Sequence, residues 1–328
     1  MPLRRTGPDR SGAERPALTD SSLPCVVHLV RYGNPPEALG RFVESYRRHD
    51  AGESHRLILL CKGFPDVAAL APHLERLDGL SAERLEVPDD GFDLTAYRRA
   101  AARLDGAVAC YLNSHSVLLS AGWLERLLAP LRGGAGIVGA TGSWNSGRST
   151  ACYALHLPSA YDEVFPDRAW YRDQSRRLGG AVAPPVRDLM AHPPLRYART
   201  AYRLTRYLAL FPSFPAPHVR TNAFAIRSNT MLRLRYPRLR SKASVWTLES
   251  GRGSITDQIQ AMGLPVLVAG RDGRVFGPAE WADSDTLWQR EQGNLLVADN
   301  QTETYRLGDL DRRMLLSRVA WGSRARPQ

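Results

Sequence analysis

Between Cys25 and Ala140 four short apolar runs and one short mixed segment alternate with segments of helical period, and this alternation constrains the fold more than any other feature. The apolar runs are Cys25 to Val30, Leu57 to Cys61, Ala107 to Leu112 and Gly136 to Ala140, and Arg84 to Val87 reads as a short strand between the second and third of them. Short apolar runs bounded by turn residues read as buried strands. Tyr32 to Pro36, Gly63 with Pro65, and Pro88 to Gly91 supply such turns. Between the runs, Ala38, Leu39, Phe42, Val43 and Tyr46 recur at helical spacing behind prolines that suit a helix start. Further helices are expected from Asp66 to Leu77, Asp93 to Leu104 and Trp123 to Leu131. Strands and helices alternating this way imply right-handed βαβ units, hence an α/β fold with a mostly parallel, Rossmann-like sheet flanked by helices. Ligands are then expected at the carboxyl ends of the strands. The loops there begin at Arg31, Lys62, Asp89, Asn113 and Thr141.

The alternation stops at Gly142. Residues 142–217 are rich in Pro and aromatics and read as an insertion that shapes a second pocket. Within it, Leu195 to Leu210 is expected to be helical. At 100° per residue, Arg196, Arg199, Arg203 and Arg206 share an arc of about 80°, with Ala198, Ala201, Tyr202, Leu204 and Leu208 on the other side. Such an arginine stripe is either a solvated face or a contact for anionic lipid or a phosphorylated acceptor. Regular structure returns with a strand from His218 to Arg227, a helix from Ser254 to Met262 and a strand from Leu264 to Ala269. From Trp281 onward the pattern reads as irregular with a basic tail. The expected organisation is a polar tail over 1–22, one domain over 23–285 that includes the insertion, and an extension over 286–328.

With 328 residues, 43% of them hydrophobic, the chain can bury a core without disulfides or structural metal. It is not a disordered, collagenous or coiled-coil sequence. No apolar run reaches the length of a spanning helix, and Met1 to Ser22 lacks the apolar centre of a secretory signal. These features point to a cytoplasmic protein. The four cysteines, Cys25, Cys61, Cys110 and Cys152, form no CxxC pair and read as small buried hydrophobes. The formal charge is +11, and only Lys62 and Lys242 among the basic residues are lysines. Arg is spread along most of the chain with no nucleic-acid-binding module, so nucleic acid is not expected as a partner. A phosphate-bearing substrate or an anionic membrane surface accounts for the excess equally well.

The most informative stretch runs from Tyr111 to Glu125: an apolar strand, the triplet Asn113, Ser114 and His115, a second apolar segment, then a helix opening at Trp123. It resembles the nucleotide-sugar glycosyltransferases of the GT-A fold, in particular the family 2-like group. The resemblance spans residues 24 to 285, mainly through the order of elements. In that family the strand ends in Asp-x-Asp, whose carboxylates hold a divalent cation against the nucleotide diphosphate. Here both acids are replaced. Asn113 and His115 offer a carbonyl oxygen and a ring nitrogen, a neutral pair poorly matched to a hard cation. Either Mn²⁺ or Mg²⁺ is held weakly at these two residues, or Arg and backbone N–H groups neutralise the diphosphate. A third reading makes Asn113 and His115 turn and cap residues.

The resemblance assigns further positions. Arg31 and Tyr32 fall where the nucleotide pocket begins. Asp93 is a donor contact or the N-cap of its helix, while Asp89 and Asp90 read as turn residues. Trp144 is available to stack on a sugar or base. Arg220 to Arg227, including Asn222, lines the acceptor pocket. Glu249, ahead of a Gly-containing turn and a helix, falls where inverting members carry the base that deprotonates the acceptor hydroxyl. The alternative is an ion pair with Arg252, which otherwise faces the diphosphate. A literal Asp283-Ser284-Asp285 follows no apolar strand and reads as a cap before a metal site. Asp299 to Thr302 closes over the diphosphate or forms an Asx turn. The chain lacks GxxxxGK[ST], GxGxxG after the first strand, HExxH and GxSxG.

The resemblance thus implies transfer of a sugar from a nucleoside diphosphate sugar to a hydroxyl acceptor, a cell-envelope glycan or lipid-linked intermediate, at the inner face of the membrane. The competing expectation is a catalytically silent binding protein of the same fold that recognises a glycan or a partner.

Overall fold

The computed structural model describes residues 23–149, 202, 205–237, 239 and 241–327. The tail 1–22, Cys152, and Arg196, Arg199 and Arg203 of the stripe lie outside the described residues.

The strands are β1 Cys25–Arg31, β2 Arg56–Lys62, β3 Glu83–Val87, β4 Val108–Leu112, β5 Val117–Leu118, β6 Ile137–Gly139, β7 Gly142–Ser143, β8 His218–Val219, β9 Ala223–Arg227, β10 Val266–Ala269, β11 Val275–Phe276 and β12 Val297–Ala298. The helices are α1 Pro36–Arg48, α2 Val67–Leu74, α3 Asp93–Ala101, α4 Trp123–Arg132, α5 Ser228–Arg233, α6 Lys242–Ser250, α7 Ile255–Ala261, α8 Asn300–Arg306 and α9 Leu310–Trp321. Eight strands form one sheet in the order β11-β10-β6-β9-β4-β1-β2-β3. The pairs β1–β2, β2–β3, β1–β4 and β6–β10 are parallel. The expected α/β architecture with a mostly parallel sheet is present.

The sheet departs from simple winding at β9, which runs antiparallel between β4 and β6. Its register sets Ala223 against Leu112, the last residue of β4. Reversal of this one strand brings its leading residues, Arg220 to Asn222, to the edge where β1, β2, β3 and β4 end. The expected strand over 218–227 is interrupted at this point, with β8 pairing separately with β7.

Both faces of the sheet's centre are covered, so its central strands are apolar on both sides, while edge strand β3 exposes Arg84 and Glu86. Cys25, Val27 and Leu29 of β1 enter one core cluster, with α3, α7 and the Trp281–Trp321 region. Val26 and Val30 enter the other, against Phe42 of α1 and Trp123 and Leu127 of α4. Cys25, Cys61 and Cys110 are buried and free, and burial pushes the Cys61 thiol up to about 12.

Residues 286–327 carry regular structure, including α8 and α9, rather than being irregular throughout. Leu287, Trp288, Tyr305 and Trp321 belong to the same core cluster as α3 and β1, and β12 pairs with β5. The helical period of α9 is masked because its buried side chains include Ser317 and Ala320 beside Leu315 and Trp321. Among the described residues, no helix is long and apolar enough to cross a membrane.

Two buried histidines give the fold an expected acid sensitivity. His28 lies flat on Phe42, ring centroids 3.8 Å apart, and neither ring nitrogen has a hydrogen-bond partner. Burial, reinforced by His115, holds its pKa down to about 3. Burial also holds His218 down to about 4. A histidine whose folded pKa is depressed binds its proton more readily in the unfolded chain. The stability it confers is therefore complete above pH 6.5 and is lost as pH falls towards 4 and 3. Each contributes a slope of up to about 1.4 kcal/mol per pH unit in that window. Changing His28→Leu is expected to flatten the fall of the urea midpoint between pH 6 and 4 by about one proton. An unchanged slope would mean that His28 does not take up a proton on unfolding.

Candidate functional site

The polar residues of the chain converge at the carboxyl edge of the sheet. Arg31 closes β1, and its Nε lies 3.9 Å from Oδ1 of Asp93, the first residue of α3. Phe92 is the N-cap of that helix and makes no side-chain cap bond, so Asp93 is not the cap and its carboxylate is left facing the edge. Tyr32 is half exposed, edge-on to Phe64 at 5.7 Å. Beside it, the buried ammonium of Lys62 pairs with Asp89, and this hydrogen bond holds the Asp89 carboxyl below its usual range. The approach needs Gly63: at φ +78°, a Cβ there would come within 2.8 Å of Asp89.

The triplet after β4 forms a closed turn. The Asn113 backbone N–H donates to the Asn222 carbonyl at 2.8 Å. Its Oδ1 accepts from the His115 N–H at 3.0 Å and the Ser116 hydroxyl at 3.1 Å. This is the Asx geometry that makes Asn a turn residue. His115 is half-buried. Desolvation lowers its pKa, Arg41 and Arg31 add to that, and Asp299 and Asp93 oppose it. Asn222 accepts from Thr141 at 2.8 Å, and its buried Nδ2 has no partner.

The opposite wall comes from β9's approach and from α6. Glu249 lies in the last turn of α6, ahead of the turn through Gly251 and Gly253 and of α7. The Thr221 hydroxyl donates to its Oε1. Burial raises the Glu249 pKa and Asp93 raises it further, while Thr221, Arg220 and Lys242 pull it down. Glu249 makes no ion pair with Arg252, an exposed residue whose backbone N–H donates to the Leu210 carbonyl at 2.7 Å. The Arg220 guanidinium stands 3.7 Å from Asp299 Oδ2 and over the Trp288 ring at 5.5 Å. Its Nη1 is buried with no hydrogen-bond partner. Asp299 caps α8, accepting from the N–H groups of Gln301 and Thr302. The Tyr97 hydroxyl is buried, unpartnered and held high by burial, with Asp93 and Glu249 adding to the effect.

Arg31, Asp93, Asn113, His115, Asn222 and Glu249 are thus brought to one edge. Trp144 is not open to it: the ring is buried between Trp321 and Phe214, and its N–H donates to the Pro278 carbonyl at 2.8 Å. Asp283 is bound by Arg324 and Arg326, which occupies its carboxylate. Asp285 caps no helix and sits at φ +57°. Arg220 and Thr221 fall in the segment expected to line the acceptor pocket, at its polar start. Tyr97 was not foreseen; it reads from sequence as one more apolar position of α3.

The donor set does not suit a divalent cation at the triplet. Asn113 Oδ1 already accepts two hydrogen bonds, and His115 stands without a carboxylate ligand beside it. Among the described residues, no three His, Cys, Asp or Glu side chains group as metal ligands.

The arrangement is therefore an α/β protein with cationic and carboxyl-bearing side chains gathered at the carboxyl edge of its sheet, where the strand order reverses between β1 and β4. No protein-family model and no curated protein sequence matches the chain.

Proposed function

We propose that this chain is a glycosyltransferase of the GT-A type, moving a sugar from a nucleoside diphosphate sugar to a hydroxyl acceptor. The observation that carries this reading is the nearness of Glu249 to Arg220, whose charge opposes the upward push of burial on the Glu249 carboxyl. A carboxyl group with a raised pKa, hydrogen-bonded to a hydroxyl, lies near a guanidinium that is set against Asp299 and keeps one buried, unused donor. The first suits proton removal from an alcohol; the second suits an anionic leaving group.

In the proposed reaction Glu249 takes the proton from the acceptor hydroxyl as its oxygen attacks the anomeric carbon. The bond from that carbon to the diphosphate oxygen breaks, and the electron pair leaves with the diphosphate. Arg220 and Arg31 neutralise the departing charge, and no step is routed through a metal. Thr221 orients the Glu249 carboxylate. Inversion at the anomeric carbon follows from a single displacement. The closed Asx turn at Asn113 favours the second reading, a binding protein of the same architecture that performs no transfer.

The deciding measurement is the melting temperature in the presence of a panel of nucleoside diphosphates and their sugars, with and without Mn²⁺. A ligand of the native state raises it at saturating concentration. One nucleotide is expected to raise it without Mn²⁺, and Arg220→Gln to weaken that nucleotide at least tenfold. A panel with no shift would remove the donor from the proposal.

A further inference from the structure

Basic residues occur throughout the chain, but their excess over acids does not. Residues 189–256 contain twelve Arg and Lys and a single acid, Glu249. The other 260 residues contain thirty-two of each sign. The whole formal charge of +11 therefore belongs to one stretch, which includes α5 and α6.

Five of those cations, Arg206, Arg233, Arg235, Lys242 and Arg252, are described and exposed. Among the described residues none of the five meets an acid, which is also true of exposed Arg41, Arg84, Arg103, Arg271, Arg274 and Arg290; what sets this stretch apart is that Glu249 is its single acid. Large hydrophobic side chains are exposed among them: Tyr202, Leu232 next to Arg233, and Trp246 on α6. Lys242 Nζ lies 5.5 Å from the Trp246 ring centre, and the Arg206 guanidinium 5.7 Å from that of Tyr202. Segment 205–210 adjoins α6 through the hydrogen bond from Arg252 N–H to the Leu210 carbonyl.

Cations with no acidic partner among the described residues, interleaved with exposed Trp, Tyr and Leu, match the headgroup layer of a bilayer, where aromatic rings sit at the interface and cations meet lipid phosphates. With a cation over one face of each ring, less aromatic surface is left to stack on bases, which favours lipid over nucleic acid. We propose that the outward face of α5 and α6, with the adjoining segment 205–210, docks on an anionic phospholipid bilayer. At 100° per residue Lys242, Trp246 and Glu249 fall within about 60° of arc, so this face runs along α6 to the candidate site. On the transferase reading, an acceptor embedded in the bilayer reaches Glu249 by that route; the docking itself does not rest on that reading.

The test is co-sedimentation of the full chain, without nucleotide, with vesicles of phosphatidylcholine alone and with about one-third phosphatidylglycerol. Retention is expected on the anionic vesicles only and is expected to fall as salt is raised. Arg233→Glu with Arg235→Glu should weaken it at least tenfold, and Trp246→Ala should weaken it at every salt concentration. Melting temperatures of the variants establish that they fold; should the reversal unfold the chain, Arg206→Gln with Arg233→Gln replaces it. Absence of binding to anionic vesicles, equal binding to neutral ones, or unchanged binding by folded charge variants would overturn the proposal. So would equal retention on a DNA duplex that Trp246→Ala leaves unaltered, since that marks a general polyanion surface. None of these outcomes bears on nucleotide binding, so the docking and the transferase reading fail separately.

Discussion

Glu249→Gln is expected to lower the rate of sugar transfer by about 10²–10⁴-fold while leaving donor affinity nearly unchanged. The amide keeps the shape of the side chain and still accepts from Thr221, but it cannot take a proton. For the native protein, kcat/KM should rise with pH along an acid limb whose midpoint lies above the ordinary glutamate value of 4.5, because burial and Asp93 both disfavour the carboxylate. The sign for stability is opposite to that of a paired acid. A carboxyl whose folded pKa is raised binds its proton more readily in the native state, so stability falls as pH rises from 4.5 through the folded pKa. The Gln variant should therefore melt no lower than the native protein at neutral pH. A folded Glu249→Gln protein with undiminished turnover would show that the base lies elsewhere.

The largest expected loss of stability comes from Trp321→Ala. The Trp321 ring is fully buried, edge-on to Trp144 at 5.6 Å, and its N–H donates to the Leu287 carbonyl at 2.8 Å. Removing it leaves a cavity and an unpaired buried carbonyl, a loss of about 3–5 kcal/mol. Against a typical total of about 5–15 kcal/mol, that is a large fraction of the whole. The melting temperature should fall by roughly 5–15 °C in a single cooperative transition. A drop of less than about 2 °C would mean that α9 is a separable appendage rather than part of the core.

The first half of the sheet was legible because β1, β2, β4 and β6 are short apolar runs, β3 alternates buried Leu85 and Val87 with charged residues, and their helices have clear periods. Local pattern does not report strand direction, and β9 reads as an ordinary strand whichever way it runs. Its reversal decides which residues reach the carboxyl edge: Arg220 and Thr221 are at the edge only because β9 departs from it. The helix α6 was missed because its apolar residues do not share a face. Trp246 points outward, Leu248 is its one fully buried residue, and its capping box uses Ser241 with Ser244 rather than a Glu. The same limit applies at Trp144, which reads as a sugar platform and is in fact covered by Trp321, a contact across most of the chain. At Asn113 the sequence left two readings open, and the hydrogen bonds from His115 and Ser116 favour the turn.

The position of β9 also has a consequence for how the chain is made. On a ribosome, β1 to β4 can pair once Leu112 has emerged. Ile137 to Gly139 must wait, because both neighbours of β6 are encoded later: β9 begins at Ala223 and β10 at Val266. Throughout that interval a nascent chain displays an apolar strand with two open edges, the situation that invites mispairing and chaperone capture. Yield of native protein should therefore respond more strongly to slower synthesis and lower growth temperature than the finished fold's own stability would indicate.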